Sequence, residues 1–334
     1  MQIVKSESDF KVVKDHQVIA VLEVDSSLVK FKWLRMEHLD KILLLLIKRF
    51  RNKMYESLTV EITSDNNELE GFVRVFLQKE NMAVTKNDNT LTLRVFLNSL
   101  QHKNVKVIPI WLGERRKWQP DFVKETEGLV KVIVDKEISL NKGIPCDTFM
   151  VINRHYDEST INRTVHIKNF ILSLDGKETK NGFFKVVERE NSGISYGAFS
   201  HVFDLHKADY DFWFFNEDDY FVDAENYMLN DYDQFREIDN NAGYISESGV
   251  CDNFPLSEYP THVHFALGLT SREILSQVGK LPYMVSNTDS ADEHHLYGEI
   301  PFTNEIYKLG YDLIISRNFD CLKDWMSQDF NSFR

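Results

Sequence analysis

The sequence predicts an α/β protein: a mainly parallel sheet flanked by helices, preceded by a small α/β domain. Three observations lead there. From Asp147 onward, short apolar runs alternate with stretches of helical spacing, the pattern of β-α-β units and a parallel sheet. Phe212 to Phe215 are four aromatics in a row, which read as a short strand buried on both faces. The successive strands each end in polar residues, which would converge on one edge of that sheet.

Residues 1–100 read as the small domain. Val18 to Val24 and Leu28 to Leu34 have strand character, with a turn at Asp25 to Ser27. Glu37 to Met54 and Asn66 to Lys79 carry apolar residues at helical spacing, and Leu58 to Ile62 is strand-like. Met82 to Thr85 and Thr90 to Phe96 suggest a hairpin. This order resembles the second half of a GNAT-type acetyltransferase, but no glycine-rich pyrophosphate loop opens a helix. A docking or oligomerisation module is expected, which leaves a homo-oligomer open.

Residues 101–146 read as a connecting region with strand-like runs at Val105 to Trp111 and Val130 to Val134, a segment that either closes the first domain or leads into the second. Residues 147–334 form the larger domain. Its strands are Thr148 to Ile152, Phe183 to Val187 and Phe212 to Phe215, and its helices Glu158 to Leu174 and Ser195 to Leu205. The strand ends Asn153-Arg154, Arg189 to Asn191 and Glu217 to Asp219 meet at the carboxyl edge, where such sheets collect ligands.

Composition narrows the function. A net charge of −13 opposes broad contact with nucleic acid, though not a nucleotide bound through a metal. The longest apolar run, Ile42 to Ile47, is too short to span a membrane, and the amino terminus has no apolar signal core. Cys146, Cys251 and Cys321 are widely spaced, so neither a disulfide framework nor a zinc knuckle is indicated. A soluble, cytoplasmic protein is expected.

The acids Glu217, Asp218 and Asp219 follow a buried strand directly. They suit either a divalent-cation site, because close carboxylates repel unless a cation sits among them, or a solvated acidic turn. Strand alternation would place Glu217 and Asp219 on one side and Asp218 on the other.

Val151 to Asn153, Arg189 to Phe199 and Phe214 to Asp219 together resemble a GT-A glycosyltransferase of the family 2 kind, over about residues 147–318. His264 to Leu275 is similar to that family's acceptor-side strand and helix, and Gly298 to Tyr311 to the helix bearing its catalytic carboxylate. The resemblance implies a GT-A-like sheet and a nucleoside diphosphate sugar held on Mn²⁺ or Mg²⁺. It also implies inverting transfer to a saccharide or glycoconjugate acceptor. Asp219 and Glu217 would bind the metal, with His294 as a third ligand, while Asn153, Arg154, Arg189, Asn191 and Asp218 would face the donor. Two departures stand out: the motif is Glu217-Asp218-Asp219 rather than a plain D-x-D, and the domain is small for the family.

The chemistry needs a general base for the acceptor hydroxyl, and Glu299, Asp292 and Glu293 are the candidates. Glu299 equally suits a first-turn acid favoured by the helix dipole. His262, His264, His294 and His295 would also suit a four-histidine zinc site. Arg189 fits either phosphate or uracil contact, or a surface ion pair with Glu188 or Glu190. Gly193 and Gly197 suit a turn and close helix packing, and the helix Tyr227 to Phe235 either stacks on a sugar or packs in the core. Two other classes stay open: a non-catalytic sugar-nucleotide or carbohydrate-binding protein, and a nucleotidyltransferase, which shares the parallel sheet and acidic metal ligands but whose glycine-rich nucleotide loop is missing where the first strand ends at Asn153 to Tyr156.

Overall fold

The computed structural model describes residues 2–6, 9–14, 17–25, 28–34, 39, 41–43, 45–46, 57–63, 82–87, 90–96, 103–113, 121–237, 241–248, 250–251, 262–263, 268–281 and 295–324. One unit comprises residues 1–101 with 236–241, and the other 102–235 with 242–334.

In the first unit, seven strands form one sheet: β1 (Gln2–Ser6), β2 (Asp9–Lys14), β3 (Gln17–Asp25), β4 (Leu28–Leu34), β5 (Ser57–Thr63), β6 (Met82–Asn87) and β7 (Thr90–Phe96). Their order is β1-β2-β3-β4-β5-β7-β6, and β4 with β5 is the parallel pair. A parallel pair needs a crossover, and helical residues Leu39, Ile42, Leu43 and Leu46, all buried, lie between the two strands. The expected helix Asn66 to Lys79 lies outside the described residues. Sequence reading overlooked β1 and β2, although Phe10 and Val12 alternate inward on β2.

The second unit opens with β8 (Asn104–Trp111), α1 (Phe122–Ser139), β9 (Cys146–Arg154), α2 (Glu158–Leu172), β10 (Phe184–Glu190), α3 (Ile194–His206) and β11 (Phe212–Phe215). Then come β12 (Tyr220–Val222), α4 (Tyr227–Arg236), β13 (Ala242–Ser246), β14 (Val250–Cys251), β15 (His262–Val263), β16 (Gly268–Ser271) and α5 (Arg272–Val278). A π turn at His295–Glu299 leads into α6 (Ile300–Lys308), followed by β17 (Asp312–Ile315), a 3₁₀ turn at Phe319–Cys321 and β18 (Leu322–Asp324).

Seven of these strands form a mostly parallel sheet in the order β10-β9-β8-β11-β16-β13-β17. β16 runs antiparallel to both of its neighbours. Residues 101–146 are therefore no mere connection: β8 pairs with β9 on one side and β11 on the other, and the larger unit begins near residue 102 rather than 147. Val130 to Val134, which read as a strand, lies inside α1. There Val130, Ile133 and Val134 pack with Ile108, Ile110, Met150 and Ile152, while Val132 packs with Leu129 and Phe221, so burial in a helix overrides strand propensity.

β11 alternates between two helical layers. Phe212 and Phe214 meet Phe235 and Tyr227 of α4, whereas Trp213 and Phe215 meet Phe203 and Phe199 of α3. All four rings are buried, as expected of a strand covered on both faces. α4 is thus a core helix, with Tyr227, Met228 and Phe235 buried, and not a sugar-stacking surface. No helix among the described residues is long and apolar enough to cross a membrane.

Candidate functional site

The strand order locates the site. Chain progression runs outward from β8 through β9 to β10, then returns to place β11 on the other side of β8. In open α/β sheets this reversal leaves a crevice beyond the carboxyl ends of the two central strands. Here those ends are Trp111 and Phe215, and the acids Glu217 to Asp219 come just after the second. The Trp111 backbone N–H donates to Asp218 Oδ2 at 3.0 Å, directly across the reversal. Sequence reading could not find this bond, because it treated β8 as part of a connection.

The acids divide by environment. Asp218 turns toward the end of β8 and is buried, as is Glu217, while Asp219 is half-buried. Burial first, then the neighbouring Asp219, pushes the Glu217 carboxyl well above the ordinary range. A Ser195 hydrogen bond opposes this, while Glu299 and Asp218 add to it. Ser195 sits at the start of α3, just after Gly193 at φ 73° and Ile194 at φ 47°. A β-branched residue rarely adopts that left-handed region, so strain is concentrated where the chain delivers the Ser195 hydroxyl. Gly197 permits the same turn to close: a Cβ there would lie 1.8 Å from the Ser192 carbonyl oxygen.

Glu299 reaches the same place from far along the chain. It precedes α6, is fully buried, and makes no capping hydrogen bond from its side chain. Gly298 allows the approach, since a Cβ at that position would meet the Tyr196 ring at 2.6 Å. Tyr196 is itself buried, and after burial the charge of Glu299 is the largest influence raising its phenol well above the ordinary range.

On the β9–β10 side, Arg189 is buried rather than paired at the surface. Its guanidinium donates to Asn153 Oδ1 at 2.7 Å and to the Ser192 carbonyl at 2.7 Å. The surface pairs belong instead to Arg154, which is exposed and meets Glu188 and Glu190 at 3.5 Å each. The Arg154 guanidinium is therefore taken up by these pairs, although its carbonyl accepts from the Asn191 N–H at 3.3 Å. Asn191 is buried, and neither end of its amide has a hydrogen-bond partner among the described residues. Such a group normally finds a partner, so its position suits a ligand contact. Asp292, Glu293, His294 and His264 lie outside the described residues, so neither the alternative bases nor the histidine site can be placed.

Does this set fit a divalent cation? Among the described residues no group of three or more His, Cys, Asp or Glu is placed to hold a metal. Mg²⁺, however, is usually bound by one or two carboxylates together with substrate phosphates. Glu217 and Asp219 fit that arrangement, since their mutual repulsion is what a cation would relieve. Compared with known proteins, the chain matches no family model and no curated protein.

Proposed function

We propose that this protein is a metal-dependent glycosyltransferase that moves a sugar from a nucleoside diphosphate sugar to a saccharide or glycoconjugate acceptor, with inversion. The supporting observation is the gathering of Glu217, Asp219 and Glu299 beside the reversal of strand order. Glu217 and Asp219 would hold Mn²⁺ or Mg²⁺. Bound there, the cation supplies Lewis-acid neutralisation of charge on the departing diphosphate. The Arg189–Asn153 pair and the Asn191 amide line the donor side, where they would orient the nucleotide. Glu299 is the base that takes the acceptor hydroxyl proton as the new glycosidic bond forms, and a base in this role typically contributes about 10²–10⁴-fold.

The test is a thermal-shift screen of nucleotide sugars with Mn²⁺, because a ligand at about 100 times its Kd adds roughly 2.7 kcal/mol of stability. One donor should raise the melting temperature only when Mn²⁺ is present, and Asp219→Ala should abolish the shift. Glu299→Gln should keep donor binding and lose transfer. Full Mn²⁺-dependent turnover by Asp219→Ala would sink the metal assignment, and a wild-type transfer rate in Glu299→Gln would sink the base. Donor binding with neither transfer nor hydrolysis would favour the non-catalytic binding protein.

A further inference from the structure

The acidic turn has two neighbours, and the main sheet holds only one of them. On its amino side β11 ends at Phe215, and the Asn216 N–H still reaches the Val107 carbonyl at 3.1 Å. On its carboxyl side the chain enters β12 at Tyr220, and β12 pairs antiparallel with β18 near the end of the chain. The partners are Tyr220 with Asp324, Phe221 with Lys323 and Val222 with Leu322. The Asp223 N–H extends the ladder to the Cys321 carbonyl at 3.0 Å.

β18 is in turn anchored from behind. Asn318 is buried, and its Nδ2 donates to the Tyr227 carbonyl and to Asp231 Oδ1, each at 3.0 Å. Asn230 Nδ2 donates to Asn318 Oδ1 at 3.2 Å, and the Asn318 N–H donates to Ser316 Oγ at 2.9 Å. Ser316 Oγ donates to the same Asp231 oxygen at 2.5 Å. Gln234 completes the attachment, donating to the Ile315 carbonyl at 2.9 Å and accepting from the Arg317 N–H at 3.0 Å. The turn after β17 is thus bonded along α4, and the strand it launches returns to the residue next to Asp219.

We propose that β18 is a clip that positions the acidic turn, with Asn318 as its anchor. The inference rests on the function proposed above for the turn's carboxylates. Its structural half, that the clip holds β12 and the turn in place, does not. Asn318 is a positioning residue: it reaches the carboxylates only through β18 and β12.

Two variants test this. Asn318→Ala removes the anchor. Lys323→Pro cuts the ladder without touching the anchor. Antiparallel pairs alternate, and the bond from Asp223 to Cys321 makes Phe221–Lys323 the hydrogen-bonded pair, so proline there deletes a ladder donor. In both variants hydrogen exchange at Tyr220 to Asp223 should accelerate, while β8 and β9 keep their protection. Mn²⁺ alone, titrated by the loss of its free electron-spin signal, should bind about 10–100-fold more weakly, the usual cost of losing a group that orients a metal ligand.

Unchanged exchange at Tyr220 to Asp223 in both variants overturns the clip. Faster exchange with unchanged Mn²⁺ affinity overturns its positioning role. If the wild-type protein binds no Mn²⁺ either alone or with a nucleoside diphosphate, the proposed metal site fails, and the exchange measurement alone decides whether the clip holds the turn.

Discussion

At Glu217, burial and like-charged neighbours act together against the ionised carboxyl. A carboxyl buried beside Asp219, Asp218 and Glu299 is a poor contributor to folding, because its ionised form has lost water and gained like-charged neighbours. Such a residue is tolerated where a ligand offsets the conflict. Glu217→Gln keeps the shape and removes the charge. The cation-free variant is therefore expected to be more stable than wild type at pH 7.5, by about 1–3 kcal/mol on the scale of one ill-compensated buried polar group. Mn²⁺ should no longer stabilise it. Urea denaturation with and without Mn²⁺ measures both effects, and a variant less stable than wild type without the metal would show that Glu217 has a structural role instead. The acidity of this position was legible in the sequence because three acids followed an aromatic strand. The nearness of Glu299 was expected only through the family resemblance: it depends on the close approach of Gly298 to the Tyr196 ring, and nothing local in either segment announces that contact.

At the scale of elements, α1, β8 and β9 are joined by a buried charge network at the opposite end of the strands from the acidic turn. Lys106 Nζ meets Glu137 Oε1 at 2.9 Å and the Tyr227 hydroxyl at 3.0 Å. Lys142 also pairs with Glu137 and donates to the Thr148 hydroxyl at 2.9 Å, and that hydroxyl donates to Glu137 Oε2 at 2.5 Å. Burial alone would raise the Glu137 carboxyl, but Lys106, Lys142 and the hydrogen bonds from Lys142 and Thr148 hold it down at about 2. A depressed folded value stabilises the protein above the ordinary carboxylate range near 4.3, and that contribution is lost as pH falls from there toward about 2. Glu137→Gln should cost about 3–5 kcal/mol at pH 7, since it strands two buried ammonium groups. The gap between variant and wild type should shrink between pH 5 and pH 3. A gap that stays constant across those pH values in denaturation experiments would rule the network out as a source of acid sensitivity. These elements also mark where sequence reading fails. The strand character of β8, β9, β10 and β11 was visible as apolar runs. Val130 to Val134 misled because the same β-branched residues suit a strand or a buried helical face, and only the packing partner decides. The direction of β16 was not legible either, because a four-residue strand carries no mark of which way its neighbours run.

For the molecule as a whole, the division near residue 102 determines what can work alone. Among the described residues, each large sheet is built from strands of its own unit. Every residue assigned here to the proposed site belongs to the second unit, which carries its own core around β8 and β11. A unit of this length buries enough surface to fold independently. A chain beginning at His102 is therefore expected to fold cooperatively and to keep any Mn²⁺-dependent stabilisation seen in the full chain. Near-ultraviolet circular dichroism is the sensitive check. Trp213 is fully buried against Phe203 and Tyr210, and its signal exists only if the β11–α3 interface is rigidly packed. A shortened chain with helical far-ultraviolet signal but no near-ultraviolet Trp band would be a loosely packed state, and would mean that the second unit needs the first to reach its native core. Had the boundary lain at 147, as the sequence suggested, the shortened chain would lack β8 and with it one wall of the crevice. A chain beginning at Asp147 is accordingly expected to lose both the Trp band and the metal response, and comparing the two lengths tests the boundary and the location of the site together.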